Sequence, residues 1–170
     1  MNKFVFKAYS NIFPKLFLQE KERIASRVKT PLLIEHVGST SIPDLGGKGI
    51  IDIAIATCEQ DISTITTQLQ SLGYEFRPTF STPDRSYFII YLPDPEEETR
   101  RYHIHLTYPE SNDWKGLIGF RDYLLSHPKE MLEYAEVKRK AAIESSGDGE
   151  KYRQLKEPII KDINKKITSS

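Results

Sequence analysis

The sequence predicts a single α+β domain, with a sheet-bearing part over about residues 1–108 and a helical part over about 109–170. Three observations carry this reading. The 170 residues suit one core, because domains usually run to roughly 100–200 residues. Short apolar runs separated by Gly, Pro, Ser and Thr fill the first two-thirds of the chain, as strands and their loops do. After Pro109 the apolar residues recur at helical spacing through three segments. Strands first and helices afterwards put the helices on one side of the sheet, and the groove between the two parts is the natural ligand site.

Within 14–28, Leu16, Phe17, Ile24 and Val28 are spaced near the helical period among charged residues, so an amphipathic helix is expected, stopped by Pro31. Residues 32–37 and 49–57 read as buried strands around a loop, 38–47, rich in Gly, Ser, Thr and Pro. A helix over 61–72 closes at Gly73. Strands follow at 87–92 and 102–106, joined by an acidic loop, 93–99, that reads as solvated. The helices 114–126, 129–145 and 152–167 are separated by His127-Pro128 and by the Gly147-Asp148-Gly149 turn.

Composition narrows the function. The 24 basic and 24 acidic residues cancel, removing the broad field on which non-specific nucleic-acid binding rests. A chain of this size needs no structural metal or disulfide, so a metal here would be functional. Cys58 is the one cysteine and has no neighbouring Cys or His, which fits an intracellular protein. Phe4, Val5 and Phe6 are interrupted by Lys3, Lys7, Asn11, Pro14 and Lys15 before a signal core or membrane span forms. A cytoplasmic, soluble protein with no membrane partner is expected.

Two features carry chemistry. The run Val37-Gly38-Ser39-Thr40-Ser41-Ile42-Pro43 leaves a strand into a turn with one glycine and three hydroxyls, a geometry that presents donors to a phosphate but also occurs as an ordinary capped loop. In Ile50-Ile51-Asp52-Ile53-Ala54-Ile55, Ile51, Ile53 and Ile55 share one strand face and Asp52 shares the other with Ala54. A carboxylate in so apolar a strand is costly without a cation, a metal or hydrogen-bond donors beside it. Lys48 stands four residues earlier, as such a cation or as an exposed lysine.

These residues resemble the GrpB family, which carries a Glu-His-hydrophobic-Gly-Ser-Thr turn, a Lys and an Ile-Ile-Asp-Ile strand. Here they are Glu35-His36-Val37-Gly38-Ser39-Thr40, Lys48 and Ile50-Ile51-Asp52-Ile53. The likeness continues through Arg100-Arg101, His103-Ile104-His105, Phe120-Arg121-Asp122-Tyr123-Leu124, Tyr134, Lys138, Tyr152, Lys156 and Pro158-Ile159-Ile160, with Phe13 where a tryptophan is expected. The resemblance implies a nucleotidyltransferase-type fold, Gly38 and Ser39 as phosphate ligands, and Asp52 as a ligand of Mg2+ or Mn2+. Active members of that superfamily usually have a second acid two positions on, where this chain has Ala54. Glu35 on the neighbouring strand is the candidate substitute, although alternation alone does not say which face it shares.

His103 and His105 lie two apart and share a strand face. They can ligate a metal with Asp52, donate to a phosphate or move protons, or they can line a polar groove as a hydrogen-bonded pair. Arg101 beside them suits an anion or the acidic loop. Lys138, with Met131 and Tyr134, and Lys156, with Tyr152 and Ile159, fall on the apolar stripes of their helices. There they form a phosphate cradle or send their ammoniums to water. Arg121 and Asp122 can pair with other helix residues.

The expected activity is binding of a nucleotide or other phosphorylated small molecule. Two forms are open: transfer of a nucleotidyl group from a metal-bound triphosphate to an acceptor, or a non-catalytic accessory role, since relatives of the family occur fused to dephospho-coenzyme A kinases. Metal-dependent hydrolysis through His103, His105 and Asp52 is a third reading.

Overall fold

The computed structural model describes residues 5–30 and 32–169. Pro31, the expected helix stop, and the opening Lys3 and Phe4 lie outside them. Helix α1, Phe13–Arg27, begins with Pro14 in its first turn and ends where Val28 turns extended, its N–H still bonded to Ile24. Phe13, Leu16, Phe17 and Ile24 form its buried stripe, as their spacing predicts.

Five strands follow: β1 Leu33–Val37, β2 Ile51–Ala56, β3 Glu75–Phe76, β4 Ser86–Pro93 and β5 Thr99–Thr107. They form one mixed sheet in the order β1-β2-β5-β4-β3. Only the β2–β5 pair is parallel. The excursion from β2 to β5 runs through α2, Ile62–Ser71. The two-residue β3 has no signal in the sequence, because so short an edge strand has no periodicity to detect.

Alternation divides the sheet by chemistry. Ile51, Ile53, Ile55, Tyr102, Ile104, Leu106 and Phe88 join α1 and α2 in the main core. The opposite face carries Asp52 and Ala54 of β2, paired in register with His103 and His105 of β5. Helices α3, Asn112–Ser126, α4, Pro128–Ser145, and α5, Gly149–Ser169, make the helical part. Their Leu124, Met131, Tyr134 and Ile163 enclose Ile42 and Leu45 of the loop after β1 in a second cluster. Ser111 caps α3 by accepting from the Trp114 N–H. Pro158 sits inside α5, leaving the Gln154 carbonyl without its helical donor.

The acidic loop is clamped rather than simply solvated. Asp94 has no exposed side-chain surface and takes Arg100 Nε at 2.6 Å, while Arg100 Nη1 donates to the Gly49 carbonyl at 2.8 Å. Lys7 Nζ binds Glu97 at 2.7 Å, and the Lys7 backbone exchanges both hydrogen bonds with Gly47. Arg100, and not Arg101, is the residue that holds this loop. Among the described residues no helix is long and apolar enough to cross a membrane.

Candidate functional site

The turn after β1 is built around Asp52. Gly38 has φ 75°, and a Cβ there would lie 2.5 Å from Asp52 Oδ2. Glycine is therefore required twice, by the left-handed backbone and by the carboxylate packed against it. The 3-10 turn Ser39–Ser41 follows. Its three hydroxyls have different tasks. Thr40 is buried, donates to the Ile50 carbonyl at 2.9 Å and accepts from His36 Nε2 at 2.9 Å. Ser41 donates to the Gly38 carbonyl at 2.6 Å. Only Ser39 of the three lines the adjoining cavity, so Thr40 and Ser41 hold the turn that the sequence offered them as ligands for. His36 itself stacks on Phe17 at 4.8 Å. Burial, opposed by Asp52 and aided by Arg121, lowers it to about 4, which leaves the neutral ring to donate to Thr40.

Asp52 joins the two histidines. Its Oδ1 lies 3.2 Å from His105 Nε2 and 3.4 Å from His103 Nδ1. Burial raises the Asp52 carboxyl, but the hydrogen bonds and charges of the histidines outweigh it and hold the group well below the usual carboxylate range. Burial in turn lowers His103 against the pull of Asp52. The Tyr87 hydroxyl bonds His103 Nδ1, and its ring lies 5.2 Å from that of His105. Tyr87 belongs to the cluster and was not among the residues singled out from sequence. Its signal was weak: one position on β4 that register sets opposite His105.

In front of Asp52 is a cavity of about 250 Å3. Gly38, Ser39 and Lys48 line one side and Lys138, Tyr152 and Lys156 the other. Lys138 is buried, its Nζ donating to the Gly46 carbonyl at 2.6 Å. A Cβ on Gly47 would meet that Nζ at 2.9 Å and Ser39 Oγ at 2.7 Å, so this glycine keeps space for the ammonium. Burial, then the Lys156 charge, lowers Lys138 to about 7. Burial, then Lys48, lowers Lys156 to about 8. Its Nζ lies 4.2 Å from the centre of the Tyr152 ring. Lys48 is lowered by burial and by Arg101 and Arg153. Each of the three lysines is thus lowered first by burial and then by a neighbouring cation.

Arg101 and Glu35 stand apart from this cavity. Arg101 shares the Asp52 face but lies 6.0 Å from the Tyr91 ring. Register puts Glu35 on the Asp52 side, opposite Ala54, where it binds Arg121 at 2.9 Å. Arg121 also donates to the His36 carbonyl at 3.0 Å and contacts Asp122 at 3.0 Å.

The donors present do not fit a resident Mg2+ or Mn2+ centre. Such ions take oxygen ligands, and two-metal chemistry needs several carboxylates. Here Asp52 is the one carboxylate lining the cavity, beside three lysines. The second acidic position is Ala54, and Glu35 is held by Arg121. Among the described residues no group of three or more His, Cys, Asp or Glu is arranged to hold a metal.

Known proteins share this architecture. A GrpB protein of Enterococcus faecalis superposes with a TM-score of 0.81 at 25% identity, over 96% of both chains. The non-canonical poly(A) polymerase GLD-2, in complex with GLD-3, superposes with a TM-score of 0.53 at 10% identity, over 77% of this chain and 45% of that one. At that identity the likeness shows the fold alone, and the fold is nucleotidyltransferase-like. A UPF0157 protein of Pseudomonas aeruginosa is 34% identical over 89% of this chain and 62% of its own length. A protein of Mycolicibacterium paratuberculosis named dephospho-CoA kinase is 30% identical over 84% of this chain and 42% of its own length. The chain thus spans less than two-thirds of either relative. The GrpB protein family model matches residues 3–166, the whole sheet and the three closing helices but for the last three residues of α5, and the chain belongs to the GrpB family.

Proposed function

We propose that the chain binds a phosphorylated small molecule of the nucleotide class in the lysine-lined cavity, without a resident metal and without transferring the nucleotidyl group. One observation carries this reading: Lys138, Lys156 and Lys48 converge on about 250 Å3 beside the Gly38-Ser39 turn, against the single carboxylate of Asp52. Lys138 has the Gly46 carbonyl as acceptor, yet the lining brings one carboxylate to three ammoniums, and a phosphate adds anionic charge to that set. Phe120 and Tyr134, whose rings pack edge to face at 5.8 Å, give the same cavity an aromatic wall for a planar group. Asp52 then acts as an anchor. It orients His103 and His105 and repels a ligand that brings its charge too close to Gly38.

Calorimetric titration with nucleotides and coenzyme A precursors tests the reading, the latter chosen because a dephospho-CoA kinase contains a similar segment. Saturable binding is expected that Mg2+ does not strengthen. Lys138→Met should weaken it by at least about tenfold, the effect of one charge-assisted hydrogen bond. Absence of binding by any phosphorylated compound overturns the proposal. The second reading, nucleotidyl transfer, is favoured by the Asp52–His105 contact at 3.2 Å. It requires pyrophosphate release from a nucleoside triphosphate that Asp52→Asn abolishes.

A further inference from the structure

Beyond the lysine cavity, the Asp52 face of the sheet continues across β5 and β4 as a strip of arginine and tyrosine. Arg101 precedes His103 by two residues and points to the same side. In register it lies opposite Tyr91, with its guanidinium 6.0 Å from that ring. Arg85 lies 5.9 Å over the Tyr87 ring on the same strand face. The neighbouring cations have partners of their own. Arg77 faces Glu75 at 3.4 Å, Arg85 Nη2 donates to the Phe80 carbonyl at 3.0 Å, and Arg100 is committed to Asp94.

The Nε atoms of Arg77, Arg85 and Arg101 are all buried without a hydrogen-bond partner, but among the described residues Arg101 has neither the carboxylate that Arg77 meets nor the carbonyl that Arg85 meets. A buried guanidinium N–H left unpaired is costly, and the planar fork of donors matches a phosphate. Beside it, Tyr91 is 57% exposed on a strand whose other face is core. An exposed ring next to an uncompensated guanidinium is the pairing that takes up a phosphate attached to a flat group.

We propose that Arg101 and Tyr91 form a second ligand subsite, separate from the lysine cavity, which holds the phosphate of a small ring-bearing phosphate ester while the ring lies on Tyr91. Arg85 and Arg77 add positive potential along the strip. A ligand here would lie next to the Tyr87–His103–Asp52 chain of contacts, so both subsites would border the same carboxylate. The inference does not depend on what fills the lysine cavity.

Phenyl phosphate and inorganic phosphate are the probes. Each is titrated into the full chain carrying 15N-labelled arginine, following the Nε–H resonances alongside calorimetry. The Arg101 resonance should move to saturation. Arg101→Gln should weaken this event at least about tenfold while Lys138→Met leaves it in place. Tyr91→Ala should weaken phenyl phosphate more than inorganic phosphate. An Arg101 resonance that stays still under both probes, or an Arg101→Gln chain that binds phenyl phosphate like the wild type, overturns the subsite and leaves the cavity reading standing. An Arg101 response that survives while no probe senses Lys138→Met supports the subsite and counts against the cavity reading. If Arg101→Gln does not fold, the wild-type resonance decides.

Discussion

Arg100 and Arg101 are neighbours on β5, point to opposite faces of the sheet, and have opposite circumstances. Arg100 lies against the Phe13 ring at 5.0 Å, is 2% exposed, and has Asp94 and the Gly49 carbonyl for its donors. Arg101 has a tyrosine ring and a buried Nε without an acceptor. The same contrast runs along the whole sheet. The face toward α1 and α2 is closed by isoleucine, leucine and phenylalanine, and its one guanidinium is satisfied by protein alone. The face toward α3–α5 carries Asp52 and two histidines, with the lysines of the cavity in front of them. A charge satisfied by the protein serves the fold, whereas one left partly unsatisfied is available to a ligand.

Three experiments probe that distinction, beginning with the largest effect. Arg100→Leu leaves Asp94 buried without its cation. A loss of about 3–5 kcal/mol in urea unfolding is expected, with phosphorylated-ligand affinity falling only as far as the Gly46–Gly49 loop loosens. Thr40→Val removes the hydroxyl that serves His36 and Ile50, and about 1–3 kcal/mol of stability should go with it. If ligand affinity falls to the same extent as in Lys138→Met, then Thr40 meets the ligand directly and the division of labour within the turn is wrong.

The third effect is a slope with pH. Lys138, lowered from 10.5 to about 7, holds fewer protons folded than unfolded between those two values, so the ligand-free protein should gain stability as pH rises from 7 to 9. One such group contributes at most about 1.4 kcal/mol per pH unit. Ligand affinity should fall over the same interval, as the ammoniums of Lys138 and Lys156 are lost. Chemical unfolding at pH 7, 8 and 9 gives the first trend and calorimetry the second. Lys138→Met should make both trends shallower, with Lys156, lowered to about 8, carrying what remains.

Much of this was legible before the structure. The α+β division, the amphipathic first helix and the three closing helices follow from spacing, because period and turn chemistry are local properties. Asp52, Lys138 and Lys156 stood out because each is a charge at an apolar position, and all three border one cavity. What sequence did not reveal depends on contacts between distant segments. Nothing local separates Ser39, which lines the cavity, from Thr40 and Ser41, which tie the turn. The tasks of Arg100 and Arg101 are distinguished only by the β5 register, and Tyr87 joins the histidines only through its pairing across β4 and β5.

The bonds that shape the cavity also bear on when it forms. Lys138 reaches Gly46 across 92 residues of chain, Lys7 reaches Glu97 across 90, and Arg121 reaches Glu35 across 86. Each closes a loop of about half the molecule, and contacts so distant in sequence are entropically expensive to bring together. The sheet and α1 can collapse on their own isoleucines first, but the cavity is complete only when α4 has docked on the loop that Lys7 and Arg100 secure. In native-state hydrogen exchange the Gly47 amide, bonded to Lys7, should therefore open at lower free energy than the amides of β2 and β5, and bound ligand should slow it most.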